Sequence, residues 1–581
     1  MIYAEQLTYG FADRDLYRDI SFTLPENRHC VLIGSNGSGK TTLVDLIRAP
    51  EKFLFDGKLM RENIGRIGYA SQFASRDKQI NLTVNDYLSQ DFLQLQAQIN
   101  LICENMTEAE DLDTLMEDYQ RLLDEGESMD ADNYERNILR QLQLSGLSDK
   151  AELELSSLSG GEYKLVQIIR HILRRPGLMI LDEPDVFLDF NNLTGLRELI
   201  NNYNGTLLVV THNRYLLEHC FDLIWHLENA RLQEYDGTFK EYQLSLLKKK
   251  AELQKAASIG EDEYQRASEM VERLRKEATE WVDPSKGRAL KAKVTYMERW
   301  EKKAIQKPFV DIREPEIHLP DVESDDTPVP LLEVTDYNLR FEKDLLDHVS
   351  FSLRHGEKAA IVGPNGTGKT TLLRDIWKNK SDAIQFSPDA RPGFFSQLQE
   401  ETLNEQNTIE AEFNELGIYS EKQIKDHLKQ YCFNEDDLYR PIRQLSGGEK
   451  NLLQLAKLSV GNANLLLLDE PSSHLDIYAQ SALEKALMAY RGAVLMVSHD
   501  FYSIANCVDI ILYVDHGTIR TMSGRAFRKM IYKNHFSLDY LERENRRKEL
   551  ETKIARCLEE KNCEEAEILC QELDALIHSK G

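Results

Sequence analysis

Two glycine-rich stretches in this chain of 581 residues have the residue types and spacing needed to hold phosphate groups. Both fit the pattern G-x-x-x-x-G-K-[ST]. Its glycines let backbone N–H groups face phosphate oxygens, its lysine reaches the terminal phosphates, and its hydroxyl residue meets Mg²⁺. The two copies are Gly34, Ser35, Asn36, Gly37, Ser38, Gly39, Lys40, Thr41 and Thr42, and Gly363, Pro364, Asn365, Gly366, Thr367, Gly368, Lys369, Thr370 and Thr371. A chance glycine-rich turn is the alternative for one copy, but it explains two copies poorly.

A second set of polar residues follows each stretch in the same order. It comprises a glutamine, a serine with two glycines, an Asp-Glu pair at the end of an apolar run, and a histidine after another apolar run. The residues are Gln72, Ser159, Gly160, Gly161, Asp182, Glu183 and His212, and Gln397, Ser446, Gly447, Gly448, Asp469, Glu470 and His499. The serine and aspartate are 23 residues apart and the aspartate and histidine 30 residues apart in both halves. This repetition predicts a duplicated domain and makes unrelated strand ends a poor alternative.

Short apolar runs must position these residues. The runs at 30–33 and 359–362 predict buried strands, and each leads through its glycine-rich loop into a helical pattern. Alternating stretches at 7–9 and 20–24 predict an antiparallel sheet ahead of the first loop. Tyr9 in that sheet is a candidate platform for an adenine ring, with an ordinary strand aromatic as an equal alternative. Phe341 is assigned to the nucleotide-binding residues of the second half.

The first half contains one insertion. Gln72 and Ser159 are 87 residues apart, whereas Gln397 and Ser446 are 49 apart, so the first half has 38 more residues there. The insertion falls within about residues 85–140 and predicts a helical arm, broken near 108–113 or 126–128. Its apolar positions are Leu93, Leu95, Ile99, Leu112, Leu115, Tyr119 and Leu122.

Length and composition limit the class of protein. A chain of this length predicts two to four domains, and a net charge of −27 argues against indiscriminate coating of nucleic acid. Apolar runs are shorter than the roughly 18–20 residues of a membrane helix, and the first residues do not resemble a secretory signal. Eight cysteines without a C-x-x-C pair favour a reduced, cytoplasmic setting. Cys557, Cys563 and Cys570 are predicted to pack inside the protein.

The segment between the halves has a different composition. Residues 240–280 are charged with helical spacing, 283–287 predict a turn, and a second helical pattern follows before a proline-rich stretch. Residues 284–308 contain eight basic and two acidic side chains, a net charge of +6. Such a segment could bind a polyanion, with a solvated helical hairpin as the alternative. The tail beyond Leu538 shows apolar stripes and is predicted to pack on the core or to contact a partner.

Taken together, these motifs resemble those of the ATP-binding cassette (ABC) ATPases. Two cassettes, a basic helical linker and the run Glu280-Trp281-Val282 resemble the ABC-F translation factors and their ribosomal-protection relatives. The resemblance implies an α/β fold of two tandem ABC-type nucleotide-binding domains joined by a long α-helical hairpin. It divides the chain into a first ATPase domain at 1–245, a linker at 246–325, a second ATPase domain at 326–535 and a helical tail at 536–581.

The resemblance also implies roles for the recurring residues, with ATP and Mg²⁺ as ligands. Each phosphate loop would face the serine and glycines of the other cassette, within one monomeric chain. Thr41, Gln72, Asp182, Thr370, Gln397 and Asp469 would hold the metal. Glu183 and Glu470 would polarise the attacking water, and His212 and His499 would contact the γ-phosphate.

For the whole protein, the resemblance implies ATP-dependent binding at the ribosomal exit (E) site. The linker, 246–325, would reach rRNA, the P-site tRNA and the peptidyl-transferase centre, and hydrolysis would release the protein. An antibiotic-resistance protein of the same family is the first alternative. A fused ATPase subunit of a membrane transporter is a second one, although no stable membrane partner is expected. A nonhydrolytic scaffold is a third, and the intact glutamates and histidines argue against it.

One departure from the family pattern concerns the segment after the Asp-Glu-Pro turn. The second cassette has Ser473 and His474 there, whereas the first has Val186 and Phe187. Because this segment crosses between the sites, we predict two sites with different hydrolysis rates.

Overall fold

A computed structural model describes residues 1–11, 14–62, 64–71, 81–106, 112–186, 188–255, 314–322, 329–340, 344–417, 420–528, 540–560 and 562–578. The chain forms two compact units. The first unit contains residues 1–236, here called the first cassette, and 314–530, the second cassette; the second unit contains 237–313 and 531–581. The domain boundaries given above remain predictions.

The first cassette consists of two sheets and a set of helices. Its strands are β1 (Ile2–Phe11), β2 (Arg14–Leu24), β3 (His29–Ile33), β4 (Asp56–Arg61), β5 (Ile67–Ala70), β6 (Leu178–Asp182), β7 (Thr206–Val210), β8 (Leu223–Glu228) and β9 (Arg231–Asp236). Its helices are α1 (Lys40–Arg48), α2 (Val84–Asn105), α3 (Leu112–Ser128), α4 (Tyr134–Ser145), α5 (Gly160–Leu173), α6 (Phe190–Asn201) and α7 (Arg214–Cys220).

Helical residues 239–255, here α8, begin the second unit, and the second cassette follows from 314. The strands of the second cassette are β10 (Leu332–Arg340), β11 (Asp344–Leu353), β12 (Lys358–Val362), β13 (Ile384–Phe386), β14 (Pro392–Phe395), β15 (Leu465–Asp469), β16 (Ala493–Val497), β17 (Ile510–Asp515) and β18 (Thr518–Ser523). Its helices are α9 (Lys369–Trp377), α10 (Ile409–Asn414), α11 (Glu421–Gln430), α12 (Gly447–Val460), α13 (Ile477–Ala489) and α14 (Phe501–Cys507).

The two cassettes have the same sheet topology, which confirms the predicted duplication. The larger sheets have the orders β5-β6-β7-β3-β8-β9 and β14-β15-β16-β12-β17-β18, parallel except for the last strand of each. The smaller antiparallel sheets have the orders β2-β1-β4 and β11-β10-β13. Apart from a polar residue at one end, the central strands β6 and β15 are apolar and buried, as expected for a sheet that is covered on both faces. Their carboxyl ends therefore place loops with polar residues along one edge.

The insertion forms the predicted helices, and α2 and α3 pack against each other. Leu95 and Leu122 are buried, and Leu95 packs beside Gly126 inside α3. Leu93, another apolar position of the insertion, is 54% exposed. Positions two apart on a helix point about 200° away from each other, so Leu93 and Leu95 cannot face the same partner.

The second unit packs the tail against α8. Helices α15 (Tyr540–Glu559) and α16 (Cys563–His578) contact each other, and their apolar stripes meet Leu244, Leu247 and Ala251. Lys248 pairs with Asp574 at 2.7 Å and Lys255 with Glu567 at 2.9 Å. The three tail cysteines are buried, as predicted. The basic stretch 284–308 lies outside the described residues. Within the described ranges, no helix is both long and apolar enough to cross a bilayer.

A partly buried ion triad joins the arm to the helix that begins at Gly160. Both oxygens of Asp91 on α2 accept hydrogen bonds from Arg170 and Arg174 on α5, at 2.7 to 3.0 Å. Burial would raise the pKa of Asp91, but these hydrogen bonds and the two positive charges outweigh it and hold the pKa well below its usual value. The triad therefore stabilises the folded state wherever Asp91 is ionised.

We expect Asp91→Ala to lower the free energy of unfolding by about 3 kcal/mol at pH 7, because it leaves two arginines without their carboxylate. Asp91 has a depressed pKa in the folded state, so the difference from the wild type should be complete above about pH 4. It should shrink as the pH falls through the folded-state pKa. Urea titrations at a series of pH values measure this effect.

Asp118→Ala is the matched control, since the Asp118–Arg121 pair on α3 is largely exposed and surface pairs contribute at most about 1 kcal/mol. Equal losses in the two variants would contradict a stabilising role for the triad.

Candidate functional site

The two phosphate loops have the backbone shape that their sequences predict. Gly37, Gly39, Gly366 and Gly368 have positive φ angles between 75° and 101°, and α1 and α9 begin at the following lysines. A side chain on Gly34 would come within 2.1 Å of the carbonyl oxygen of Leu227. Glycine is therefore required at Gly34 for close packing, whereas the later glycines supply the left-handed turn.

Each loop lysine bends back over its own loop. Lys40 Nζ donates to the carbonyl oxygens of Gly34 and Ser35 at 3.0 and 2.9 Å. Lys369 Nζ donates in the same way to Gly363 and Pro364 at 2.9 and 2.7 Å. Burial lowers the pKa of both lysines. Each ammonium group thus lies within the concave loop where a phosphate would sit.

Buried carboxylates lie at the ends of β6 and β15. Asp469 Oδ1 accepts a hydrogen bond from Thr370 Oγ1 at 2.9 Å, and Asp182 Oδ2 accepts one from the Tyr69 hydroxyl at 3.4 Å. Burial and the charge of Glu183 raise the pKa of Asp182 to about 6, and burial also raises the pKa of Asp469. Asp469 Oδ2 has no hydrogen-bond partner among the described residues. A hydroxyl beside an under-satisfied carboxylate fits Mg²⁺, which takes few protein oxygens and keeps sites for phosphate.

His212 is buried and His499 is partly buried, and both imidazoles are expected to be neutral. Burial lowers the pKa of His212 and of His499 to about 3, and the nearby lysine lowers it further in each case. Neither ring nitrogen of His212 finds a hydrogen-bond partner within the part of the chain that the structure describes. A buried imidazole without partners is unfavourable unless a ligand supplies one, so His212 fits contact with a phosphate oxygen.

The serine-glycine-glycine segments begin helices α5 and α12. Ser159 and Ser446 cap these helices, and each forms a capping box with the glutamate three residues later. In each box the serine oxygen accepts the glutamate backbone N–H at 3.3 Å. The hydroxyl can still donate, and the helix N-terminus favours an anion in front of it.

The structure brings the loop of one cassette to the serine-glycine segment of the other. A cavity of about 590 Å³ is lined by Asn365, Gly366, Gly368, Lys369, Thr370, Thr371, Gln397, Glu470 and His499 and also by Ser159, Gly160 and Gly161. In the opposite pairing, a Cβ atom on Gly448 would lie 2.0 Å from Asn36 Nδ2. Both pairings are head to tail.

Two aspartates that the motif comparison missed connect the cassettes. Asp476 Oδ2 accepts the backbone N–H of Asn36 at 3.0 Å, and Asp189 Oδ2 accepts that of Asn365 at 3.3 Å. Each aspartate also caps a helix, α13 or α6. Both aspartates stand seven residues after the aspartate of the Asp-Glu pair, so a comparison of the two repeats could have identified them.

The remaining predicted site residues do not all lie at the nucleotide sites or within the described part of the chain. Tyr9 packs edge-on against Phe53 at 5.6 Å between ring centres and lies 6.1 Å from Tyr17, as a partly buried member of the core of the first cassette. Its proposed contact with adenine remains a prediction. Gln72, Phe187 and Phe341 lie outside the described residues. Thr41 is exposed, Ser38 Oγ is buried without a hydrogen-bond partner in the described ranges, and Ser35 donates to Glu228.

The two glutamates have different surroundings. Glu183 Oε2 lies 3.9 Å from Nδ1 of His474, a residue of the other cassette, whereas Glu470 Oε1 lies 3.6 Å from Nε2 of His499 in its own cassette. Burial would raise the pKa of Glu183, but contact with His474 and nearby positive charges lower it. Burial and the neighbouring Asp469 raise the pKa of Glu470 to about 8. The two glutamates therefore have different neighbours, although they occupy corresponding positions in the two cassettes.

Fold and sites together define a protein with two nucleotide-binding cassettes. The family model described as "ABC transporter" matches residues 17–186 and 346–473. The ATP-binding protein YdiF of Bacillus subtilis is 30% identical over 538 residues, which cover 90% of this chain and 81% of that protein. ABC transporter F family member 2 of Arabidopsis thaliana is 27% identical, with 90% and 77% covered. The chain therefore belongs to the ABC-F family of ATP-binding cassette proteins.

Solved structures show the same fold. The archaeal ribosome recycling factor aABCE1, in complex with the ribosomal stalk protein aP1, matches with a TM-score of 0.53 and 18% identity, and 92% of each chain is covered. At this identity the likeness concerns the fold alone.

The close approach of Gly448 to Asn36 yields a prediction that needs no nucleotide. Gly448→Ala places a methyl group where Asn36 Nδ2 and the His474 carbonyl now lie, at 2.0 and 2.6 Å. It should push the first phosphate loop away from Asp476 and expose the Asn36 N–H. We expect hydrogen exchange in residues 34–42 to become faster.

Gly447→Ala is the control, because a Cβ atom there meets only His474 at 3.5 Å or more. Indistinguishable exchange in the two variants would show that the loop does not depend on this contact.

Proposed function

We propose that this chain is an ATP-hydrolysing ABC-F protein that binds the ribosome at its exit (E) site while ATP holds the cassettes together. Hydrolysis then weakens the contact between the cassettes and releases the protein. In this proposal the linker, 246–325, contacts rRNA, the P-site tRNA and the peptidyl-transferase centre. The protein acts as a cytoplasmic monomer whose two cassettes pair within the chain.

The observation that carries this proposal is the pairing of each phosphate loop with the opposite serine-glycine segment inside one unit. The Asp476–Asn36 and Asp189–Asn365 hydrogen bonds span that pairing. A ligand that bridges a loop and the opposite helix N-terminus favours the closed arrangement by the difference in its affinity for the two states. Nucleotide occupancy can therefore control the distance between the cassettes.

Hydrolysis would use the carboxylates at the ends of β6 and β15. Glu183 and Glu470 would orient and polarise the attacking water, and the loop lysines would balance charge on the phosphates. Asp182 and Asp469, with Thr41, Thr370, Gln72 and Gln397, would hold Mg²⁺, which neutralises developing phosphate charge when bound. The neutral imidazoles of His212 and His499 would each present one donor nitrogen toward the γ-phosphate.

The ribosomal part of the proposal rests on the sequence and the relatives. The stretch 284–308 carries a net charge of +6 in a chain of −27, which suits contact with the backbone of RNA. The aABCE1 structure is described as that of a ribosome recycling factor bound to a ribosomal stalk protein. That description concerns the archaeal protein, and its extension to this chain is our inference.

The double variant Glu183→Gln/Glu470→Gln tests the proposal directly. It should bind ATP but hydrolyse it slowly, so the closed form should accumulate on ribosomes. We expect sedimentation with ribosomes in ATP to be enriched at least about tenfold over the nucleotide-free sample. A matched variant in which alanine replaces the eight basic residues of 284–308 should lose this enrichment. Equal sedimentation of trapped and nucleotide-free protein would refute the ribosomal role.

The unequal surroundings of the glutamates lead to a separate prediction. Glu183→Gln removes a carboxylate beside a histidine of the other cassette, whereas Glu470→Gln removes one beside its own His499. We expect the two variants to slow single-turnover ATP hydrolysis to different extents, by at least about threefold. Equal slowing by the two substitutions would argue for equivalent sites.

A further inference from the structure

The two glutamates share an unusual backbone conformation that must be held by neighbours. Glu183 has a φ angle of 45° and Glu470 one of 49°, in the left-handed region that favours glycine. A residue other than glycine is strained in this conformation, so surrounding contacts must fix it. On the N–H side the contacts are alike, because Glu183 donates to Val210 at 2.8 Å and Glu470 to Val497 at 2.9 Å.

On the carbonyl side the contacts differ. The Glu470 carbonyl oxygen accepts the Ser473 backbone N–H at 3.1 Å and the Ser473 hydroxyl at 2.8 Å. Val186 stands in the position of Ser473 and has no hydroxyl; its backbone N–H lies 3.4 Å from the Glu183 oxygen. The missing donor is replaced by Lys164, whose Nζ donates to the same oxygen at 2.8 Å.

The ammonium group of Lys164 is accommodated by a second change. Lys164 is only 3% exposed, and burial lowers its pKa to about 8; Asp185 is foremost among the carboxylates that oppose this. Asp185 is itself fixed by a hydrogen bond of 2.6 Å from the Thr211 hydroxyl. A buried charge is tolerated when an opposite charge and hydrogen bonds surround it.

The second cassette has uncharged groups at the same positions. Asn451 stands 18 residues before Asp469, as Lys164 does before Asp182, and Ser472 corresponds to Asp185. Asn451 Nδ2 donates to the carbonyl oxygen of Ser473 at 2.7 Å, and so supports the residue that holds Glu470. Three positions therefore differ together: Lys164, Asp185 and Val186 against Asn451, Ser472 and Ser473.

We propose that Lys164 is a positioning residue for Glu183, that its ammonium group replaces the serine hydroxyl that holds Glu470, and that the nearby Asp185 compensates its charge through space. The inference rests on the proposed hydrolysis by Glu183 and deepens it. It assigns the inequality of the two sites to a charged support in one cassette and an uncharged one in the other. Lys164 acts through the backbone of Glu183 and touches no phosphate in this role.

The test measures the first site alone, in the full chain carrying Glu470→Gln. Lys164→Met keeps the length of the side chain but removes the donor to the Glu183 oxygen. Because a misplacement of about 1 Å can slow a reaction about a hundredfold, we expect single-turnover hydrolysis to fall between about ten- and a hundredfold. The dissociation constant of ATP should stay within about twofold, since the phosphate loop keeps its contacts.

A graft of the second cassette's residues provides the rescue. The triple variant Lys164→Asn/Asp185→Ser/Val186→Ser, in the same background, supplies a hydroxyl near the Glu183 oxygen. It also removes both the lysine charge and the aspartate charge that compensates it. We expect hydrolysis within about threefold of the Glu470→Gln parent. Lys422→Met, at an exposed position on α11, controls for loss of a lysine and should leave the rate unchanged.

The outcomes separate this inference from the proposed function. If the parent hydrolyses ATP and Lys164→Met does so at the same rate, the inference is overturned. It is also overturned if the graft stays slow, or if Lys164→Met loses ATP affinity and thermal stability in step with its rate. If Lys164→Met does not fold, the graft alone decides. Absence of hydrolysis in the wild-type chain would instead overturn the proposed function.

Discussion

The rest of this structure depends on one hydrogen bond, in which an aspartate of one cassette accepts a backbone N–H from the phosphate loop of the other cassette. Asp476 and Asp189 each make this contact, and each also caps the helix that follows it. One side chain thereby fixes a helix start in its own cassette and a loop residue in the other. The positions of the phosphate loop, the opposite serine-glycine segment and the turn between them are consequently coupled. A shift in any one of them changes contacts in both cassettes.

Around this symmetric frame the supporting residues have diverged in matched sets. Ser35 donates its backbone N–H and its hydroxyl to Glu228, at 3.0 and 2.8 Å; the second loop has Pro364 there, which has no N–H to donate. The hydroxyl of Tyr69 contacts Asp182, whereas Phe394 in β14 has none. The duplicated cassettes thus have the same backbone fold, whereas different side chains support the two sites. That combination allows one fold to hold two sites of unequal character.

Much of the fold followed from local signals in the sequence. Strand, loop and helix are adjacent in the chain around Lys40 and Lys369, so short apolar runs and glycine spacing were enough to predict them. Contacts over long separations were missed, since Asn36 and Asp476 are 440 residues apart and no local pattern links them. The role of Lys164 depends on a hydroxyl that Val186 lacks, which only the folded turn reveals.

The tail has a consequence for how the chain is made. Leu244, Leu247 and Ala251 on α8 are covered by α15 and α16, whose first contributing residue, Leu550, is 306 positions later than Leu244. At the usual elongation rate of about 5–20 residues per second, this apolar face stays uncovered for roughly 15 to 60 s after its synthesis. Nascent chains therefore expose an apolar surface until α15 and α16 have been synthesised. A truncated product would expose this surface permanently, and chaperones could bind it.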